Sequence, residues 1–217
     1  MKLVGMLDSP YVRRVAIALH YLDIPFQHLP LSVFRNVEEF TAINPLIKAP
    51  TLVCDDGTVL MDSTLILDYL YRLTDSQKRL MPAPMADYKT ALRIIGLGLN
   101  ACDKSVQFFY ERDMRPPEKQ HQPWRNRVTS QLLAAYDLLE PYAANTTDWL
   151  INNQFTTADI TLCVAWAFTH HAIADVVAID RYPAISRLSV RAEARSEFLA
   201  TPLGPYWQQR LNAINNA

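Results

Sequence analysis

Apolar positions fall into two regimes along this chain. They come in short runs up to about residue 73 and recur at steps of three and four from residue 88 onward. Lys2-Leu3-Val4-Gly5-Met6 is short and mostly apolar, which predicts a buried strand. Val12, Val15, Ala16, Leu19 and Leu22 then repeat at helical spacing, so a helix follows. Ser9 stands where its N-cap belongs, and Pro10 suits the first helical position because it has no N–H to leave unpaired. Asp23-Ile24-Pro25 ends that pattern, and Phe26 to Leu31 reads as a second strand, parallel to the first because a helix joins them. Val37 to Ile43 predicts a short helix closed by Asn44-Pro45, since a residue before proline is pushed out of helical geometry. Ile47 to Cys54 reads as a strand with a proline at its entrance, and Asp55-Asp56-Gly57 turns it into a second run, Thr58 to Met61, giving a hairpin. Asp62-Ser63-Thr64 precedes Ile66, Tyr69, Leu70 and Leu73, another capped amphipathic helix. The expected order is βαβαββα.

Thr74 to Met85 is polar and carries Pro82 and Pro84, as a linker does. The expected division is residues 1–76, a linker over 77–86 and an all-helical domain over 87–217. Tyr88, Leu92, Ile95, Leu99, Cys102, Val106 and Phe109 alternate steps of four and three, as do Val128, Leu132, Ala135, Leu139 and Tyr142. Both series predict long bundle helices, separated by the polar break from Arg115 to Pro123. Phe155-Thr156-Thr157-Ala158-Asp159-Ile160 combines a capping box, Thr156 with Asp159, and a hydrophobic staple, Phe155 with Ile160. The helix it opens, through Trp166 and His170, is expected at the bundle centre, and Tyr182-Pro183 opens another on its flank.

Composition narrows the possibilities. Half of the 217 residues are hydrophobic, enough for a sizeable core, and a net charge of −1 gives no reason to expect nucleic acid as a partner. Arg115, Lys119, Arg125 and Arg127 gather in one polar stretch that reads as a solvated loop. Asp8 interrupts the N-terminal apolar run too early for a signal peptide, and the run from Ile160 to Phe168 is too short to span a bilayer, so a cytoplasmic protein is expected. Cys54, Cys102 and Cys163 form no Cys-x-x-Cys pair and read as packed thiols, while five histidines without ligand spacing predict no metal.

The candidate chemistry begins at Ser9, where a strand feeding a helix N-terminus sets N–H donors and a positive dipole end around a hydroxyl. An anion such as a thiolate suits that point; the plainer alternative is a helix cap. Ser9-Pro10-Tyr11-Val12 resembles the Cys-Pro-Tyr-Cys turn of glutaredoxins with both cysteines missing, so exchange between an attacking and a resolving thiol is not available.

In element order and in three motifs in register, Ser9-Pro10, Asn44-Pro45 through Ala49-Pro50, and Asp62-Ser63, the chain resembles the cytosolic glutathione S-transferases. The Thr156 capping box resembles the folding signature of that family's helical domain, so the resemblance spans nearly the whole chain. It implies an α/β thioredoxin-like N-terminal domain followed by an all-α bundle. It implies that Pro50 follows a cis bond, so that the backbone of Ala49 pairs with the cysteinyl backbone of glutathione. Asp62 would face the γ-glutamyl ammonium, Ser63 would hold its carboxylate, and Lys48, with Arg35 a weaker candidate, would suit the glycyl carboxylate.

A free thiol has a pKa of about 8.5. One hydroxyl donor to a charged acceptor, roughly 1.5–3 kcal/mol, and a helix terminus, roughly 0.3–1 kcal/mol, can lower it by about one to two pH units. The resemblance therefore implies a transferase in which Ser9 activates glutathione for attack on an electrophilic, largely apolar second substrate. Tyr11, Phe108, Tyr110 and Arg112 are the candidates to line that second site. Met6 stands where tyrosine-type members carry their catalytic tyrosine, and Ser9 where thiol-exchanging members carry cysteine. A homodimer is expected, with Asn100 and Asp103 as weak candidates for residues lent to the partner. Peroxide reduction and isomerisation stay open as reactions, and so does a non-catalytic interaction protein of the same fold, as in the stringent starvation proteins.

Overall fold

The computed structural model describes residues 1–74 and 78–203. The start of the expected linker at residue 77 and the last residues of the expected helical domain lie outside them. Two compact units divide at residues 79 and 80, and the described residues 195–203 group with the N-terminal unit although they follow the helical one in sequence.

The N-terminal unit is built on a four-stranded sheet in the order β2-β1-β3-β4. Strand β1 (Lys2–Val4) runs parallel to β2 (Gln27–Leu29), with Leu3 opposite His28. Helix α1 (Pro10–Tyr21) makes the crossover that a parallel pair requires. Strand β3 (Thr51–Val53) pairs antiparallel with β1, Val4 opposite Thr51, and β4 (Val59–Met61) completes the hairpin. Helices α2 (Val37–Ile43) and α3 (Ser63–Leu73) fall where the apolar spacing puts them. The order βαβαββα is thus the observed one.

All four strands are shorter than the runs that suggested them, two of them beside a proline. Pro30 follows β2, and β3 starts only at Thr51 because Ile47 turns the chain at φ +48° and the Ala49–Pro50 bond is cis. Proline brings no N–H to a ladder, so pairing begins after it. Helix α1 is buried along almost its whole length, Arg13 and Arg14 included. Arg13 Nε donates to Thr201 O at 2.8 Å and its guanidinium lies over Phe198 of α8 (Ser196–Leu199), which ties the returning segment to α1.

The helical unit holds α4 (Met85–Phe109), α5 (Gln122–Ala144), α6 (Thr157–Ala172) and α7 (Pro183–Glu193). Helix α6 is buried throughout its first ten residues and packs between α4 and α7. At Gly98 of α4 an added Cβ would lie 3.0 Å from Thr161 of α6, so the absence of a side chain lets the two helices approach. The capping box is present: Thr156 N–H donates to Asp159 Oδ2 at 2.8 Å, and Ala158 N–H donates back to Thr156 Oγ1 at 3.3 Å. Asp159 Oδ1 also accepts from Leu150 N–H at 2.8 Å, so one buried carboxylate fixes both the helix start and the loop before it. Helix α7 begins at Pro183, and its first-turn N–H groups at Ala184 and Ile185 donate to the Glu140 carboxylate at 2.7 and 3.0 Å.

Between α4 and α5 the polar break is not plain loop: residues Tyr110–Met114 form one wide helical turn, Pro117–Lys119 a tight one, and Arg125 and Arg127 lie on α5. Cys54, Cys102 and Cys163 are buried and outside any disulfide. Among the described residues no helix is long and apolar enough to cross a membrane, and no cluster of His, Cys, Asp or Glu is placed to hold a metal ion.

Candidate functional site

The first turn of α1 and the 44–50 loop meet at Gly5, and the N-terminus of α3 is tied to α1 through Arg14 and to the loop through Lys48. Gly5 has φ +135°, and a Cβ there would fall 2.6 Å from Val12 Cγ2 on α1 and 3.1 Å from Ala49 Cβ on the loop. Only a glycine lets both sides come together at this conformation. Its own backbone is held in turn, N–H donating to Leu29 O at 3.0 Å and O accepting from His28 Nε2 at 2.8 Å.

Buried polar contacts shape the loop. Asn44 Nδ2 donates to Thr51 Oγ1 at 2.8 Å, Thr51 Oγ1 donates to Lys48 O at 2.7 Å, and Ile47 N–H closes a turn on Asn44 O at 2.9 Å. This chain of bonds holds the cis Ala49–Pro50 bond that the sequence resemblance implied, with Pro50 buried and Ala49 half-buried. The N–H and C=O of Ala49 hydrogen-bond to nothing among the described residues. A backbone donor and acceptor left open beside a cis proline can pair with an extended peptide.

Ser9 sits at the N-cap position, with Pro10 next and Arg13 N–H bonded to Ser9 O at 3.0 Å. Its side chain, however, accepts nothing from the first turn of α1. The expected capping bond is therefore absent: Pro10 removes one N–H of that turn, and among the described residues the hydroxyl of half-buried Ser9 is left uncommitted.

At α3 the roles divide between neighbours. Asp62 caps the helix, Oδ1 accepting from Thr64 N–H at 2.9 Å, and holds φ +69°. Its other oxygen lies 3.8 Å from Lys48 Nζ, so loop and helix carry an ion pair between two half-exposed side chains. Ser63, 3% exposed, accepts at Oγ from Arg14 Nη1 at 3.1 Å, and the same nitrogen reaches Thr64 Oγ1 at 3.3 Å. Positive φ at non-glycine residues is uncommon, and here it is found at Asp62 of the Lys48–Asp62 pair and at Ile47, the neighbour of Lys48. Such strain of about 1–3 kcal/mol per residue is retained where surrounding structure holds it, often at binding sites.

The structure thus brings together Lys48, Ala49, Pro50, Asp62 and Ser63, with Ser9 at the head of the helix packed against Gly5. Arg35 is exposed on the loop into α2. The buried Arg14, missed in the sequence, had one signal: an arginine pair inside a stretch, Val12 to Leu19, that is otherwise apolar.

The second-site candidates are less uniform. Tyr11 is half-buried in the first turn of α1. In the helical unit Phe108 is buried with the guanidinium groups of Arg112 and Arg125 over its ring at 5.1 and 5.3 Å. Arg112 forms a bidentate pair with Asp175 at 2.8 and 2.9 Å and bonds Asp113 at 3.0 Å. Burial opposes its charge, but those two carboxylates outweigh burial and hold it above the ordinary arginine value. Phe108 and Arg112 are thereby committed to packing, and Tyr110, exposed, is the candidate in this unit whose ring meets solvent. Asp103 pairs with Lys104 and accepts from Gln107, and Asn100 donates to Gln131 O at 3.4 Å.

Residues 3–78 match the model for the glutathione S-transferase N-terminal domain, and residues 101–200 that for its C-terminal domain. The chain belongs to the glutathione S-transferase family. An uncharacterized GST-like protein of Escherichia coli, YibF, is 27% identical over 93% of this chain and 98% of its own length. Maleylacetoacetate isomerase of Pseudomonas aeruginosa is 26% identical over 91% of this chain and 93% of its own. A glutathione S-transferase of Methylobacterium radiotolerans, crystallised with glutathione sulfonate, superposes with a TM-score of 0.85 at 26% identity, covering 92% of this chain and 93% of that one. A family member from Pseudomonas fluorescens with bound glutathione gives 0.80 at 26% identity, over 94% and 98%.

Proposed function

We propose that this chain is a glutathione transferase that binds glutathione along the junction of α1, the cis-proline loop and α3. The observation that carries the reading is the uncommitted backbone of Ala49, flanked by the Lys48–Asp62 charges and the buried Ser63 hydroxyl. A tripeptide with one ammonium and two carboxylates needs an acid, a base, a carboxylate-binding hydroxyl and a stretch of backbone to pair with, and the junction offers all four. Asp62 takes the γ-glutamyl ammonium, Ser63 and the α3 N-terminus its carboxylate, Ala49 the cysteinyl backbone, and Lys48 the glycyl carboxylate. Relatives of the same fold, one crystallised with glutathione sulfonate and one with glutathione, support the reading.

Ser9 Oγ–H then donates a hydrogen bond to the glutathione sulfur, favouring thiolate over thiol, and the thiol proton passes to solvent. The thiolate attacks an electrophilic carbon of the second substrate, forming the C–S bond while the displaced electron pair leaves with the leaving group or moves onto the acceptor. Two copies of the chain, in a cytosolic setting, complete the proposed working form. Calorimetric titration with glutathione tests the reading: binding below millimolar concentration supports it, and no binding at millimolar concentration moves the chain to a non-catalytic interaction role.

The isomerase relative favours a second reaction on the same site, in which the activated thiolate adds to a substrate and is released again. Product analysis separates the two, because a transferase leaves sulfur in the product and an isomerase returns glutathione unchanged.

A further inference from the structure

We infer that Arg14 is a positioning residue for ligand binding, setting the direction of the Ser63 hydroxyl and placing a buried cation beneath the carboxylate it binds; this rests on the glutathione reading above. A guanidinium has donors only, so at the 3.1 Å contact Ser63 Oγ must be the acceptor. With one lone pair of Oγ taken by Arg14, the hydroxyl proton points elsewhere. It finds no acceptor among the described residues, although Ser63 is only 3% exposed. A buried hydroxyl with an undonated proton calls for an acceptor supplied from outside the chain.

The contact has a second effect. Arg14 is 1% exposed, and the same Nη1 also reaches Thr64 Oγ1 at 3.3 Å, so the charge sits under the first turn of α3 where the helix dipole already favours an anion. A carboxylate accepting from Ser63 there meets a donor polarised by a cation, in a site screened from water. An ammonium or a neutral amide in the same place would be disfavoured. Arg14 therefore gives this corner its selectivity for a carboxylate while touching no ligand itself.

The test is a cycle between protein and ligand. Glutathione is compared with γ-aminobutyryl-cysteinylglycine, the same tripeptide without the α-carboxylate of its γ-glutamyl residue, by calorimetry on the wild-type chain and on Arg14→Gln. The wild type should prefer glutathione by about ten- to hundredfold, the range expected of a charge-assisted hydrogen bond. In Arg14→Gln that preference should collapse towards unity, mostly through weaker glutathione binding, with the analogue little changed. A purely structural Arg14 would weaken both ligands alike, and an unchanged preference would overturn the inference while leaving the glutathione reading intact. Failure of the wild type to bind glutathione overturns that reading itself. Should Arg14→Gln not fold, Arg14→Met carries the same comparison: it removes both the charge and the donor to Ser63, and a preference near unity supports the role while a full one refutes it.

Discussion

Lys48 Nζ stands 3.8 Å from Asp62 Oδ2, so the two residues proposed to meet opposite charges of glutathione lie within ion-pair reach of one another. Both side chains are about half-exposed, and a pair of that kind contributes only about 0–1 kcal/mol, which makes it easy to part. On the proposed reading, binding would exchange one weak pair for two contacts with the ligand.

Salt should therefore weaken glutathione binding through these charges. Raising ionic strength from about 0.01 M to about 1 M shortens the screening length from about 30 Å to about 3 Å. The dissociation constant of the wild type should climb over that range, and that of Lys48→Ala should start higher and climb less. Parallel salt curves for the two proteins would remove Lys48 from the site.

Gly5→Ala tests the junction. The new Cβ would lie 2.6 Å from Val12 Cγ2 at a backbone φ of +135°, which alanine rarely adopts. Overpacking and strain each cost about 1–3 kcal/mol, so thermal melting should show at least about 2 kcal/mol of lost stability. Glutathione affinity of the folded fraction should fall as well, because Ala49 lies on the other side of the same contact. A stable variant with full affinity would contradict the described packing.

Much of this was legible from residues alone, and the boundary is physical. Asn44-Pro45 stops α2 where proline sterics say it must, and the Thr156–Asp159 box opens α6, because local rules decide both. The burial of Arg14 was not legible: its partners are 49 and 50 residues away, and periodicity marks a position as polar without saying what it meets. The Lys48–Asp62 pair escaped for the same reason. Ser9 was legible as a helix start, but whether its hydroxyl caps that helix depends on a side-chain rotation that spacing does not constrain. Nor does the apolar spacing of residues 195–203 tell which unit they join.

Asp159 should make stability depend on pH in an unusual direction. Burial, only partly offset by bonds from Leu150 and Thr156, pushes its carboxyl up to about 6 from 3.8. The folded state then holds a proton that the unfolded chain has already lost between those values. Its contribution is fully present below about 3.8 and is lost as pH rises through about 6, roughly 3 kcal/mol in all. The stability of wild type relative to Asp159→Asn should fall across that window; a flat difference would place the carboxyl near its ordinary value. Thr156→Ala should cost about 0.5–2 kcal/mol through the lost cap and leave glutathione affinity intact.

Assembly has its own test. Met85, Tyr88 and Leu92 form an exposed apolar stripe at steps of three and four on α4, a pattern suited to a covered face. Light scattering at micromolar concentration should give twice the 24.8 kDa chain mass, and Leu92→Glu combined with Met85→Lys should shift it towards one. A monomeric wild type would end the dimer proposal, and with it any role for Asn100 or Asp103 across an interface.

The proposed chemistry rests on Ser9. Since its hydroxyl makes no capping bond, Ser9→Ala should cost little stability, well below the roughly 0.5–2 kcal/mol of a lost N-cap. Glutathione should still bind, because Ala49, Asp62 and Ser63 are untouched. The pKa of bound glutathione, followed by thiolate absorbance against pH, should rise by about one to two units if the hydroxyl stabilises thiolate with roughly 1.5–3 kcal/mol. Conjugation at neutral pH should fall correspondingly, and the loss should shrink in alkaline solution, where the thiol ionises unaided. Ser9→Cys should differ in kind: a thiol at a helix N-terminus is itself reactive and should form a mixed disulfide with glutathione disulfide, detectable as an added glutathionyl mass. If Ser9→Ala leaves both the thiolate pKa and the neutral rate unchanged, Ser9 does not activate the sulfur, and Tyr11, the next side-chain hydroxyl along α1, becomes the residue to replace.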